Sequence, residues 1–264
     1  MRKAAGIPAR AVFDVLKYVL VISLLVYLVV RGTQALGYYW QWYRVPRYLF
    51  APTGEGFVAG PLLKGLLVTL RITGLSLVLA FLFGLVAVLL RLSGSFTGRA
   101  VSRAYLELVR NTPLLIQLFF LYFALAPVFG MSAFFTAVLS LSLFEGAYIS
   151  EVLRAGILGV PRGQWEGAVS LGMSPWESYR HVVLPQAVRN VLPPLASQAI
   201  SLVKDTALVS TIAISDLTMQ GQVIVSETFL TFEVWFVVAA IYLVITLGLS
   251  VLAHGLEGLA GHPA

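Results

Sequence analysis

The chain has 264 residues, 59% of them hydrophobic and 11% charged, with a mean hydropathy of +0.89. Soluble domains carry about 25% charged residues, so a water-soluble fold is excluded. The formal net charge of +6 comes from basic residues placed between apolar segments, where they set topology and meet anionic headgroups rather than nucleic acid. The absence of cysteine excludes disulfides and thiolate metal sites.

Taken in chain order, the apolar runs predict an all-α integral membrane protein of about six transmembrane helices. The first, about Val12 to Val30, carries Asp14 and Lys17 three residues apart, a spacing that lets them pair. The run is too long for a signal peptide, and no small-x-small cleavage site follows promptly. Tyr38, Tyr39, Trp40, Trp42, Tyr43 and Tyr48 then form an aromatic cluster suited to the headgroup level, with Pro46 and Pro52 preventing a continuous helix.

The second span runs from Leu66 to Leu90, with Gly74, Ser76, Ala80 and Gly84 as small residues for close packing. From Asn111 to Phe144 no residue is formally charged, and Pro127 and Gly130 interrupt the run. It reads as a hairpin of Pro113 to Ala126 and Ser132 to Leu153. A polar stretch from Arg154 to Arg189 leaves the lipid. Apolar character returns from Val191 to Ile214, where Pro193 and Pro194 are expected to kink or unwind the helix and free carbonyls. Val234 to Ala253 forms the last span. Twelve of the eighteen lysines and arginines fall in the segments that are inside when the N-terminus is inside, against four in the outer segments. That bias places both termini in the cytoplasm. Domain boundaries are expected at 1–59 for the first span and its aromatic loop, 60–256 for the main membrane domain and 257–264 for a short tail.

The polar stretch, 154–189, has its own structural grammar. Trp165, Ala168, Val169 and Leu171 suit a short amphipathic helix that Gly172 ends with a left-handed cap. Ser174, Pro175 and Glu177 have the pattern of a capping box with proline at the first helical position. Trp176, Tyr179 and Val183 follow on one face, and Leu184-Pro185 is expected to end the second helix. Glu166 and Glu177 accompany the arginines, unlike the strongly basic face of a lipid-surface helix.

At these residues the sequence resembles the membrane subunits of ATP-binding-cassette importers, in particular the branch for polar amino acids. Their cytoplasmic signature begins Glu-Ala-Ala, has glycine four residues after the second alanine and ends near Leu-Pro. Glu166-Gly167-Ala168, Gly172 and Leu184-Pro185 stand at that spacing, with Gly167 departing from the first alanine. Gly163-Gln164, Gln186-Ala187, Lys204-Asp205-Thr206, Arg110 to Leu115, and Ala147-Tyr148 with Glu151 and Arg154 extend the likeness over about Gly60 to Ala253. The resemblance implies that Gln164, Trp165, Glu166, Gly167, Ala168, Gly172, Leu184 and Pro185 form the coupling loop, between spans four and five. It further implies cytoplasmic ATPase subunits as partners, an extracytoplasmic amino-acid-binding protein, a second permease chain, identical or sister, and a place in the inner (plasma) membrane.

Glu145, Tyr148 and Glu151 recur every three residues on the fourth span and so lie near one face. An ionised group at the bilayer centre costs about 2.5–3.5 kcal/mol, so a partner or a wet cavity is required. These acids either line a substrate path or form internal pairs, Glu151 with Arg154 and Lys204 with Asp205. Gln117, Gln198 and Ser201 offer further polar contacts along a path or between helices. No Gly-x-x-x-x-Gly-Lys-Ser/Thr loop occurs in the sequence, so the chain is expected to hold no cofactor, with ATP and magnesium on a separate ATPase. The competing readings fare worse. An intramembrane enzyme lacks its His-Glu-x-x-His or Gly-x-Ser-x-Gly motif, and a secondary transporter lacks a detectable inverted repeat.

Overall fold

The computed structural model describes residues 9–35, 37–53 and 56–259. Arg2 and Lys3, counted above as inner charges, lie outside them, as do residues 260–264 of the tail. The chain divides into two units, one ending at Tyr43 and the other beginning at Arg44.

In the first unit, α1 (Ala9–Ala35) extends the expected span at both ends. Asp14 and Lys17 pair across 3.7 Å, as their spacing predicts. Beyond the helix, Trp40 stacks on Trp42 with ring centroids 5.8 Å apart, and Tyr38 meets Trp40 edge-on at 5.5 Å.

The second unit opens with a short helix, α2 (Pro46–Leu49), and a β-hairpin that the sequence did not announce. Its strands, β1 (Phe50–Thr53) and β2 (Gly56–Ala59), pair antiparallel with Phe50 opposite Ala59 and Thr53 opposite Gly56. Pro52, read as a helix breaker, sits in β1, because a two-stranded ribbon leaves an outer edge that needs no proline N–H.

The core is the packing of α3 (Pro61–Leu92) on α7 (Ala133–Leu158). Small residues allow it. A Cβ on Gly84 would come within 2.7 Å of Ile149 and 2.9 Å of the Gly146 carbonyl. The Ser76 hydroxyl donates to the Val138 carbonyl at 3.3 Å, and the Ser142 hydroxyl to the Ser76 carbonyl at 3.3 Å. Ser76, Ala80 and Gly84 therefore perform as read, whereas Gly74 faces open space. Around this pair lie α4 (Phe96–Arg110), which the sequence reading left as an inner connection, then α5 (Leu114–Phe119) and α6 (Ala126–Phe129). Gly130 turns the hairpin at φ +64° and Ser132 caps α7, its hydroxyl accepting from the Phe135 N–H at 3.2 Å.

Pro127 does not break the third span. A π-helical turn over Phe120–Leu125 precedes it, with the Ala126 N–H donating to the carbonyl of Leu121, five residues back. The wide turn leaves room for the pyrrolidine ring, which a 3.6-residue turn would press against the carbonyl four residues behind. The same device recurs at Tyr179–Val183, before Pro185.

Among the described residues four helices are long and apolar enough to cross a membrane: Phe13–Ala35, Pro61–Leu92, Ala133–Leu158 and Thr231–Gly255. The count rises to six if each of two bent pairs is one span. One pair is α4 with the α5–α6 segment, bent by 105°, and the other joins Pro175–Ile212 to α11 (Leu217–Thr228), bent by 50°. Ala213 at φ +60° makes the second bend, and α12 (Thr231–Leu259) follows. The connection between the last two expected apolar runs, 215–233, is thus largely helix. Its Asp216 is buried and caps α11, Oδ1 accepting from the Met219 N–H at 2.8 Å, and Glu233 is buried at the start of α12.

Candidate coupling loop and membrane-embedded acids

The polar stretch folds as a compact lever between α7 and α10 (Leu184–Asp205). Its first arm is α8 (Arg162–Ser170). Gly172, at φ +76°, closes the arm with paired bonds: the Met173 N–H donates to the Ala168 carbonyl at 3.1 Å and the Gly172 N–H to that of Val169 at 2.9 Å. This is the left-handed glycine cap that the sequence predicts. The second arm starts at α9 (Pro175–Ser178) with a complete capping box. The Ser174 hydroxyl accepts from the Glu177 N–H at 3.3 Å, while the Glu177 carboxylate accepts from the Ser174 N–H at 2.8 Å and from its hydroxyl at 2.7 Å. These donors hold the Glu177 carboxyl below the usual carboxylate range, the hydroxyl bond of Ser174 contributing most.

Leu184-Pro185 does not end this arm. The π turn over Tyr179–Val183 absorbs Pro185, and the chain runs on into α10 as helix. Val160, Val183 and Ala187 bury a small apolar core at the root of the lever, with Ile157, Trp165 and Tyr179 packed around it. The rings of Trp165 and Tyr179 lie 6.3 Å apart, and the Gln186 amide donates to the Gln164 side chain at 3.3 Å. Both ends of the loop are therefore held to each other. Of the residues read as the apolar face of the first helix, Trp165 and Ala168 turn inward while Val169 and Leu171 are exposed; of those read on one face of the second, Val183 is buried and Tyr179 half-buried, but Trp176 is exposed. Glu166 and Gly167 are exposed too, and nothing lies within 4 Å of the position a Gly167 Cβ would take. No contact inside the chain requires glycine there.

α10 approaches α7 at Gly156, whose missing Cβ leaves room for Val191. Pro193 and Pro194 lie inside an unbroken α10, which corrects the expected unwinding. The rest of the helix holds the pair in register, although neither can donate to the carbonyls of Arg189 and Asn190.

The embedded polar residues separate into engaged and unengaged groups. Glu151 is the hub of a cluster: Arg91 and Arg110 donate to its Oε1, the latter at 3.2 Å, and Arg154 to Oε2 at 3.0 Å. The Arg110 guanidinium also lies over the Tyr148 ring, 5.9 Å from its centroid. The Arg154 partner was legible from the sequence. Arg91 and Arg110 come from other helices and were not. Gln117 is spent on capping, its amide donating to the carbonyls of Val109 and Thr112 at 2.8 and 3.0 Å. Lys204 and Asp205 form no ion pair with each other within 4.0 Å, and among the described residues no side-chain hydrogen bond engages Gln198 or Ser201. Glu145 is 2% exposed, and its Oε2 is buried with no hydrogen-bond partner. Asp205 is near enough for the two carboxyls to act on each other electrostatically. Among the described residues no group of three histidine, aspartate or glutamate side chains is arranged to hold a metal ion.

The lever, all of α7 and the last ten residues of α3 lie in a region, residues 83–257, that matches the family of binding-protein-dependent transport system inner membrane components. The chain belongs to that family. The glutamine transport system permease protein of Escherichia coli K12 is 39% identical over 199 residues, covering 74% of this chain and 91% of the relative. The L-cystine transport system permease protein of Bacillus subtilis is likewise 39% identical, over 201 residues, covering 75% of this chain and 86% of the relative. The crystal structure of an amino acid ABC transporter with histidines superposes with a TM-score of 0.71 at 40% identity, over 75% of this chain and 92% of that one. An inward-facing methionine ABC transporter, at 21% identity and a TM-score of 0.63, shares the fold. This family member is a multi-pass permease component.

Proposed function

We propose that the chain is the pathway-forming subunit of an ATP-driven amino acid importer in the inner (plasma) membrane, with both termini cytoplasmic. One observation carries the reading: the lever from Arg162 to Ala187 is pinned at both ends to spans and presents Glu166, Gly167 and Ser170 outward. Such an element suits a groove on a cytoplasmic ATPase, because a short rigid arm held by two helices passes a displacement to both. The ATPase supplies ATP and magnesium chemistry, a second permease chain completes the pathway and an extracytoplasmic binding protein delivers the substrate. The relatives' names, for glutamine and cystine permeases, support amino acids as the substrate class.

The test is reconstitution of the chain with its ATPase and binding protein in vesicles. Amino acids are expected both to stimulate ATP hydrolysis and to accumulate in the lumen. Hydrolysis that no amino acid stimulates, with no accumulation, would overturn the assignment.

A further inference from the structure

α4 is a third kind of helix, neither a span nor part of the lever. Three residues separate it from the end of α3, and at its far end Arg110 shares Glu151 with Arg91, which lies in the last turn of α3. A 15-residue helix is about 22 Å long, yet the guanidinium at its far end reaches the same carboxylate as Arg91 in the last turn of α3. The chain then turns by 105° into α5. α4 therefore runs across the bundle rather than along it, on the membrane face that carries the lever.

Around its circumference α4 has three flanks. Gly98, Ser102 and Leu106 are buried, the Ser102 hydroxyl donating to the Ala87 carbonyl at 2.8 Å, and Tyr105 on the same side donates to the Leu143 carbonyl at 2.6 Å. Val101, Ala104 and Leu108, at helical spacing, form an exposed apolar flank. Arg99, Arg103 and Arg110 form the opposite flank, with Phe96 and Glu107 between the two. Arg110 is committed to Glu151, but Arg99 and Arg103 are exposed and make no hydrogen bond or ion pair among the described residues. An apolar flank, a basic flank and an axis across the spans are the requirements of a helix lying at the boundary between acyl chains and headgroups. Arginine suits phosphate in particular, because its planar fork donates two parallel bonds.

We infer that α4 is an interfacial helix whose Arg99 and Arg103 bind the phosphate headgroups of anionic lipids. Placing those lipids in the cytoplasmic leaflet rests on the orientation proposed above. The site itself does not.

The experiment is a titration of the full-length, detergent-solubilised chain with phosphatidylglycerol or phosphatidylcholine, read by native mass spectrometry. Phosphatidylglycerol is expected to bind more tightly. A basic residue near an anionic surface contributes about 1 kcal/mol, so R99Q/R103Q is expected to weaken phosphatidylglycerol binding roughly ten- to thirtyfold while leaving phosphatidylcholine unchanged. R99K/R103K retains most of the preference. Unchanged phosphatidylglycerol binding in R99Q/R103Q overturns the proposal, and if that variant instead loses association with the ATPase, the flank belongs to a protein partner. Should the double variant fail to fold, the wild type decides. A preference that survives about 1 M salt, where the screening length is about 3 Å, is not electrostatic and overturns the assignment. Because solubilised protein has no sidedness, an error in the orientation would leave these affinities untouched and appear only in labelling of intact cells.

Discussion

Arg91, in the last turn of α3, and Glu151, in the second half of α7, meet in a hydrogen-bonded ion pair that joins the two helices of the core. Arg110 reaches the same Oε1 from α4 but is more exposed, at 45% against 34% for Arg91. Screening and side-chain entropy reduce the value of exposed pairs to about 0–1 kcal/mol, and the loss grows with exposure. Double-mutant cycles in thermal unfolding of the solubilised chain should therefore give a larger coupling for Arg91–Glu151 than for Arg110–Glu151. Equal couplings would show that the cluster acts through its net charge rather than through the geometry of the first pair.

Close packing of α3 on α7 makes a separate demand. A methyl group on Gly84 would intrude on Ile149 and on backbone, while one on Gly74 would meet nothing. G84A is expected to lose about 1–3 kcal/mol through overpacking, and G74A to be neutral or to gain up to about 1 kcal/mol of helix propensity. Melting temperatures of the two variants, measured side by side, check this. A G84A protein as stable as the wild type would mean that the helices separate without cost.

Within the lever, Gly172 and Gly167 should behave oppositely. Gly172 holds φ +76°, and a side chain there costs about 1–2 kcal/mol. Gly167 is helical and open, so alanine fits. In the reconstituted system G172A is expected to reduce amino-acid-stimulated ATP hydrolysis while the protein still inserts, and G167A to retain it. Full stimulation in G172A would remove the glycine bend from the coupling pathway.

These contrasts also mark what the sequence made legible. Signals confined to one turn survived folding: the Ser174–Glu177 capping box, the Gly172 cap and the turn at Gly130 all form where local chemistry puts them. Pro127, Pro185 and the Pro193-Pro194 pair misled for one reason. A proline is only a local obstacle, and a π turn or a well-packed helix accommodates it at a cost that tertiary contacts offset. The arginines around Glu151 come from three helices, and nothing in their spacing announces the meeting. α4 was legible as an amphipathic helix, with its apolar residues on one side and its arginines on the other, but a run too charged to be a span reads as a connection.

The capping box carries a pH dependence. Its donors lower the Glu177 pKa in the folded protein, so the stabilisation is fully present above the unfolded value, about 4.3, and is lost as pH falls through the folded value. The start of α9 should therefore loosen only below about pH 4. Fluorescence of Trp176, inside the box and 67% exposed, is expected to change there in the wild type. E177Q should show no transition of its own in that window. A wild-type transition centred above about pH 5 would contradict the assignment.

Glu145 poses the last question, since unlike Glu151 on the same helix it has no ion-pair partner among the described residues and its Oε2 is buried without a hydrogen bond. Burying an ionised carboxylate is costly without a counter-charge, and Asp205 nearby adds negative rather than positive charge. A cationic group entering between α7 and α10 would meet both acids and relieve that cost, whereas a neutral side chain would not. Exchange of Glu145 for glutamine keeps the volume and removes the charge. It is expected to reduce uptake of cationic amino acids at least about tenfold more than uptake of neutral ones, which corresponds to about 1.4 kcal/mol of selective binding. D205N should shift the same ratio in the same direction, less strongly because Asp205 is less buried. Transport that falls equally for both classes would assign Glu145 to helix packing and take it out of the substrate path.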